Sequence, residues 1–208
     1  MALVLAGCEF VPGTLAASGD GALDDGNPRP DGAIEELVVS VAANDDDALQ
    51  DPPPGGVLVE YSWISMYTAD HWGALRFVIP QVAHGAQIVA AFLDVYVDTG
   101  TQEDDPNVAL TSEASANPSP LVAVNNNISS RPRGTASVTW MGSNLGSGVQ
   151  RSPSIAVVVQ ERVDDPAWAA GQPIMFIFDT LGPSFEIRQH DHSAGIYSAQ
   201  LTVRFVNP

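Results

Sequence analysis

The sequence predicts an all-β protein, an antiparallel jelly-roll β-sandwich with one short helix covering an end. Three observations carry this. Runs rich in β-branched and aromatic residues follow one another, separated by Gly, Pro and Asp turn signals. Long amphipathic helical patterns are missing, which disfavours a βαβ architecture. One segment alone, near residues 152–163, has apolar residues at helical spacing.

The runs can be taken in order. Leu37 to Val41 is short and β-prone, and Asn44-Asp45-Asp46-Asp47 follows as an expected acidic turn. Asp51-Pro-Pro-Pro-Gly-Gly56 is a breaker cluster, and Val57 to Tyr61 is the next expected strand. Gly73 to Ile79 is bounded by Pro80. Ile88 to Val97 is the longest run, with Ala91, Leu93, Val95 and Val97 expected on one face. Val108–Thr111, Ala136–Trp140, Ile174–Phe178 and Ala199–Phe205 complete the set. In the helical segment Ser152 is the expected cap and Pro153 suits the first turn. Ile155, Val158, Val159 and Val163 would face the core, and the helix would end before Asp164. Trp168 is the expected packing anchor beyond it.

Composition narrows the function classes. The 208 residues include 8 basic residues, all arginine, against 25 acidic ones, for a net charge of −17. Such a field repels phosphate, so nucleic acid and anionic membranes are unfavourable partners. It attracts cations and keeps the chain soluble. Hydrophobic content of 45% and a mean hydropathy of +0.05 exclude wholesale disorder. No run reaches the roughly 18 apolar residues of a membrane span.

The chain divides at about residue 36. Leu5-Ala6-Gly7-Cys8 resembles a bacterial lipobox, which makes Cys8 the expected lipidation site. The alternative is a short apolar start with an accidental cysteine, since no Lys or Arg precedes Arg29. Residues 9–36 are rich in Gly, Pro, Asp and Ala, as in a flexible acidic tether. Residues 37–208 form the expected folded domain.

Candidate chemistry lies in four places. Tyr67, Asp70, His71 and Trp72 could form a ligand platform, with aromatic faces for a pyranose ring and a carboxylate for its hydroxyls. The competing reading is a half-buried hairpin. Asp46, Asp47 and Asp98 are the expected oxygen ligands of a structural Ca²⁺, weighed against a solvated acidic surface. His190-Asp191-His192 could hold a transition metal but reads more simply as a polar loop. Arg131, Arg133 and Arg151 are expected to be structural, pairing with carboxylates or turn carbonyls. Nucleophile elbows, zinc-protease motifs and phosphate loops are absent from the sequence, so an enzyme is not expected.

A set of motifs resembles the DNRLRE, or disaggregatase-related, β-sandwich module of bacterial secreted proteins. They are Asn44 to Ala48, Leu75-Arg76-Phe77 with Ile79-Pro80, Gly85 to Ile88, Val95 to Asp98, Ile128 to Trp140, and Ser152 to Trp168. The resemblance spans about residues 37–205. It departs at Gln189-His190-Asp191-His192, where a SYDG-type loop stands in that family. It implies a jelly-roll fold similar to carbohydrate-binding modules, and secretion. The functional expectation is a non-catalytic, surface-tethered extracellular module binding a glycan or another cell-surface component. The alternative is a subunit of an extracellular filament, sheath or surface layer, with the N-terminal segment docked on a neighbouring copy. A polysaccharide-degrading enzyme is a weaker third.

Overall fold

Two antiparallel sheets form, from strands whose burial alternates, as along 87–97 and 133–141, and from strands buried almost throughout, as along 173–180. The computed structural model describes residues 32–97, 107–142, 147–182, 186–190 and 195–208. Cys8, the tether up to residue 31, Asp98, Asp191 and His192 lie outside the described residues. The first sheet runs β1 (Glu35–Ser40), β12 (Gln200–Val206), β6 (Gln87–Val97), β11 (Glu186–Arg188) and β4 (Trp63–Ser65), with β9 (Gly148–Arg151) also paired to β6. The second runs β3 (Val57–Leu58), β2 (Asp47–Gln50), β5 (Trp72–Val78), β10 (Pro173–Thr180), β7 (Asn107–Glu113) and β8 (Arg133–Met141). This is the all-β sandwich predicted.

The inward rows fill the space between the sheets. Ala91, Leu93, Val95 and Val97 on β6 are all buried and meet Phe77 and Leu75 of β5 and Phe176 and Phe178 of β10 in one core. Phe77 and Phe176 pack edge to face, with centroids 6.0 Å apart. Gly73 has a specific reason: a Cβ there would lie 2.7 Å from the Ile64 side chain, so β4 and β5 approach closely only because it is absent.

The helix, α1 (Ala156–Val163), starts later than expected. Ser152 does not cap it. Its N–H donates to Leu93 O at 2.8 Å, and its hydroxyl accepts the Leu93 N–H at 3.0 Å. Ile155 N then donates to Ala91 O. Residues 152–155 therefore still follow β6, and the helix begins only when that pairing ends. Ile155, Val158, Val159 and Val163 are buried as predicted, between β6 of one sheet and β7 and β8 of the other. Trp168 is buried and its indole N–H donates to Val82 O at 3.0 Å.

Other boundaries also moved. β1 begins at Glu35, inside the expected tether, because the backbone of Glu35 and Glu36 pairs with Phe205 and Arg204. Asp47 opens a strand instead of closing the acidic turn. The strand expected to reach Tyr61 stops at Leu58, and the Tyr61 N–H turns to Gln189 Oε1 as the chain crosses between sheets.

The outer face of the second sheet is covered by residues 114–132. Leu121 and Ile128 of this connection bury against Ala48, Ala74, Met175 and Ile177 in a second, smaller core. Three arginines fasten it. Arg131 donates to Glu113 at 2.6 Å and to the carbonyls of Ser119, Pro120 and Asn127. Arg133 holds Asp179 and the Ile128 carbonyl. Arg76 bridges Asp46 at 2.5 Å and Pro118 O at 2.9 Å. Arg131 and Arg133 are thus structural, as expected.

Among the described residues β8 is the end strand of the second sheet, and α1 packs on it. Where the β7–β8 register shifts, the N–H groups of Thr135 and Ala136 donate to the Glu161 carboxylate, at 2.7 and 3.2 Å. Gly134 admits it, since a Cβ there would meet Glu161 Oε2 at 2.3 Å. Burial pushes the Glu161 carboxyl up, but the hydrogen bonds from Thr135 and Ala136 outweigh it, with Arg162 nearby, and hold the group below its ordinary range.

Two outcomes are expected. Arg131→Met leaves Glu113 buried without its cation, so stability should fall by about 3–5 kcal/mol, seen as a lower urea midpoint at unchanged slope. A loss under about 1 kcal/mol would show that the clamp is not what holds residues 114–132. Glu161, with its depressed folded pKa, contributes stability that is full above the unfolded carboxylate pKa and is lost as pH falls through the folded one. Melting curves of Glu161→Gln and the wild type should therefore converge towards acid pH and separate near neutrality.

Candidate functional site

The two outer faces of the sandwich differ. Residues 114–132 cover the second sheet, whereas among the described residues the outward row of the β1–β12–β6–β9 half of the first sheet runs from exposed Val38 and Val149 to buried Thr202. Strand register sets that row. Val38 lies opposite Thr202 and Thr202 opposite Phe92; Gln200 lies opposite Asp94 and Asp94 opposite Arg151; Tyr96 lies opposite Val149. Because directly paired residues share a face, Phe92, Asp94, Tyr96, Val149 and Arg151 all point outwards. Val149 is 68% exposed and Ile196 77%, and both line the same place.

A shallow cleft opens there, lined by Asp94, Tyr96, Val149, Tyr197, Ser198 and Gln200. Its volume is about 130 Å³. That is well below the roughly 300–1,000 Å³ that swallow a whole small ligand, so it suits one ring of a ligand lying on the sheet. Tyr96 and Tyr197 are stacked, with centroids 4.2 Å apart and planes tilted by 38°. Arg151 grips Asp94 through two hydrogen bonds of 2.8 and 2.7 Å and lies over the Phe92 ring at 5.3 Å. The hydrogen bond and charge of Asp94 raise the Arg151 pKa above its ordinary value, so the guanidinium stays charged. The sequence reading placed Ile88–Val97 as a strand but overlooked this outward row. Tyr197 could not have been added by periodicity, because it sits in the turn before β12 and reaches Tyr96 only through the fold.

The platform expected from sequence is partly assembled. Tyr67 and His71 meet edge to face at 6.3 Å. His71 Nδ1 is 2.8 Å from the Thr68 hydroxyl, and Nε2 is 4.0 Å from Asp51. The Tyr67 hydroxyl donates to Glu186 Oε1 at 3.1 Å, and Ser65 hydrogen-bonds to the same oxygen. Asp70 is exposed, with its side chain outside this network. Trp72 does not join the platform as an open ring: it is half-buried against the small core formed by Ala48, Val57, Ala74 and Ile177. Trp72 is half-buried, but no hairpin forms around it: β4 pairs with β11 in the first sheet and β5 with β2 and β10 in the second, so residues 66–71 cross between sheets. Tyr67 and His71 are tied to neighbours by their polar atoms.

The expected calcium ligands also have protein partners. Asp46 belongs to the Arg76 clamp, so an ion would have to displace a guanidinium. Asp47 is fully buried, and its Oδ2 accepts the His190 backbone N–H at 2.7 Å. Asp98 lies outside the described residues. Among the described residues, no three His, Cys, Asp or Glu side chains gather as a metal site. His190 itself turns its Nδ1 to the Ser198 hydroxyl, 2.7 Å away, at the rim of the tyrosine cleft. Asp47 and His190 thus tie the approach to β12 into the core, which fixes where Tyr197 and Ser198 stand.

Removing that tie has a measurable effect. Asp47→Ala should cost about 1–3 kcal/mol by orphaning a buried donor and should speed hydrogen exchange at the His190 amide. Asp47→Asn keeps an acceptor oxygen and should restore most of the protection.

No helix among the described residues is long and apolar enough to cross a membrane. No protein-family model matches the chain, and no curated protein matches it, so the resemblance to DNRLRE modules rests on the motifs quoted above.

Proposed function

We propose that this protein is a non-catalytic, surface-tethered extracellular module that binds glycan chains on the outer face of its first sheet. The observation that carries the reading is the Tyr96–Tyr197 cleft. Two half-exposed aromatic rings line it, of the kind sugar rings pack on, and Asp94, Ser198 and Gln200 set hydrogen-bonding groups around them. Beyond the cleft the outward row continues from Phe92 through Thr202 to exposed Val38, the direction in which further rings of a chain would lie. The acidic tether and the lipobox-like start support presentation at a cell surface, with Cys8 as the anchor. No metal is required for this mode of binding.

The second reading is self-assembly into a filament or surface layer. Exposed Val149 and Ile196 favour it, because a second copy would also cover them. One set of measurements separates the two. A glycan array should give binding that Tyr96→Ala and Tyr197→Ala each weaken about tenfold, corresponding to roughly 1.4 kcal/mol per ring, with little change in melting temperature. Absence of glycan binding, together with concentration-dependent association in sedimentation that Tyr96→Ala abolishes, would favour the assembly reading instead.

A further inference from the structure

We infer that the cleft selects uncharged sugar residues and excludes acidic ones, and that the Asp94–Arg151 pair sets this selectivity. The inference rests on the glycan-binding reading and adds the ligand's charge class to it. An acidic saccharide would need a free cation beside the cleft. Arg151 lies beside the cleft, on the strand paired with β6. Its Nε–Nη2 fork is already on Asp94 and one side of its plane covers Phe92, which leaves only its outer N–H groups to the solvent. A bidentate guanidinium–carboxylate pair is the strongest ordinary match for that fork, so a sugar carboxylate would have to compete with one held in place. Asp94 also lines the cleft, so a bound uronate would lie against a carboxylate of like sign. The rest of the protein adds to the repulsion, with its net charge of −17. A neutral ring meets none of these penalties. It gains the tyrosine surface and can donate its hydroxyls to the Asp94 carboxylate.

Asp94 therefore acts as a charge gate. Replaced by asparagine, it keeps its shape and one acceptor, loses the charge, and leaves the Arg151 fork available for an incoming carboxylate. The test uses the full chain and two probes of equal length, a neutral hexose oligosaccharide and an oligouronate, with binding measured by calorimetry at low and high salt. The wild type should bind the neutral probe at least tenfold more tightly than the uronate. Asp94→Asn should narrow that ratio at least tenfold, mainly by gaining uronate affinity, and high salt should weaken the gained binding. Glu60→Gln removes the same charge at an exposed residue that does not line the cleft, and it should leave the ratio unchanged. Equal or tighter wild-type binding of the uronate overturns the charge gate while the glycan reading stands. An Asp94→Asn ratio equal to that of the wild type also overturns it. Failure of the wild type to bind either probe overturns both. The wild-type ranking needs no variant, so the inference does not depend on how well Asp94→Asn folds.

Discussion

The protein depends on a buried ion pair used as a fastener. Arg131 reaches Glu113 and three carbonyls of one connection, and Arg133 and Arg76 repeat the pattern on either side. A connection of this length would ordinarily be the least stable part of a sandwich. Here it carries its own small core and shuts one face of the second sheet. Three of the eight arginines are committed to it, in a chain with no lysine to spare.

That commitment leaves the surfaces unequal. The second sheet is closed over by its own chain, while half of the first sheet displays a row of rings and aliphatic tips. The outward row of Phe92, Tyr96 and Val149 lies outside the main core, and its rings meet Arg151 and Tyr197. The same half of the molecule is where Asp47 and His190 anchor the approach to β12. The arrangement puts the aromatic pair on rigid strand register at one ring and on a pinned turn at the other. Precision at the cleft thus derives from groups buried well beneath it.

Much of this was legible in the sequence, and the limits have physical causes. Strands with an apolar inner row, such as Ala91 to Val97, announce themselves through their period of two. The helix face from Ile155 to Val163 was legible for the same reason at a different period. β4, β9 and β11 were missed because each is short and carries polar or charged residues on its outer side. The start of α1 was misplaced because Ser152 looks like a cap, and only the fold reveals that its hydroxyl is taken by Leu93. Arg131 and Arg133 stood out because cations are rare in this chain. The tyrosine cleft was hidden, since its two rings belong to distant segments and neither one alone is unusual. Asp46 and Asp47 looked like solvated acid or metal ligands, because sequence cannot show the guanidinium and the amide that occupy them.

Glu161 links the fold to the behaviour of the protein in suspension. Its carboxylate covers two backbone donors on the outermost strand of the second sheet, and carboxylates like it supply the charge that keeps copies apart. Hydrogen bonding holds the Glu161 carboxyl below the ordinary range, so acid reaches this cover only after it has reached a carboxylate of ordinary pKa. The two donors therefore stay covered while the net charge falls, and edge protection outlasts colloidal repulsion as the medium turns acidic.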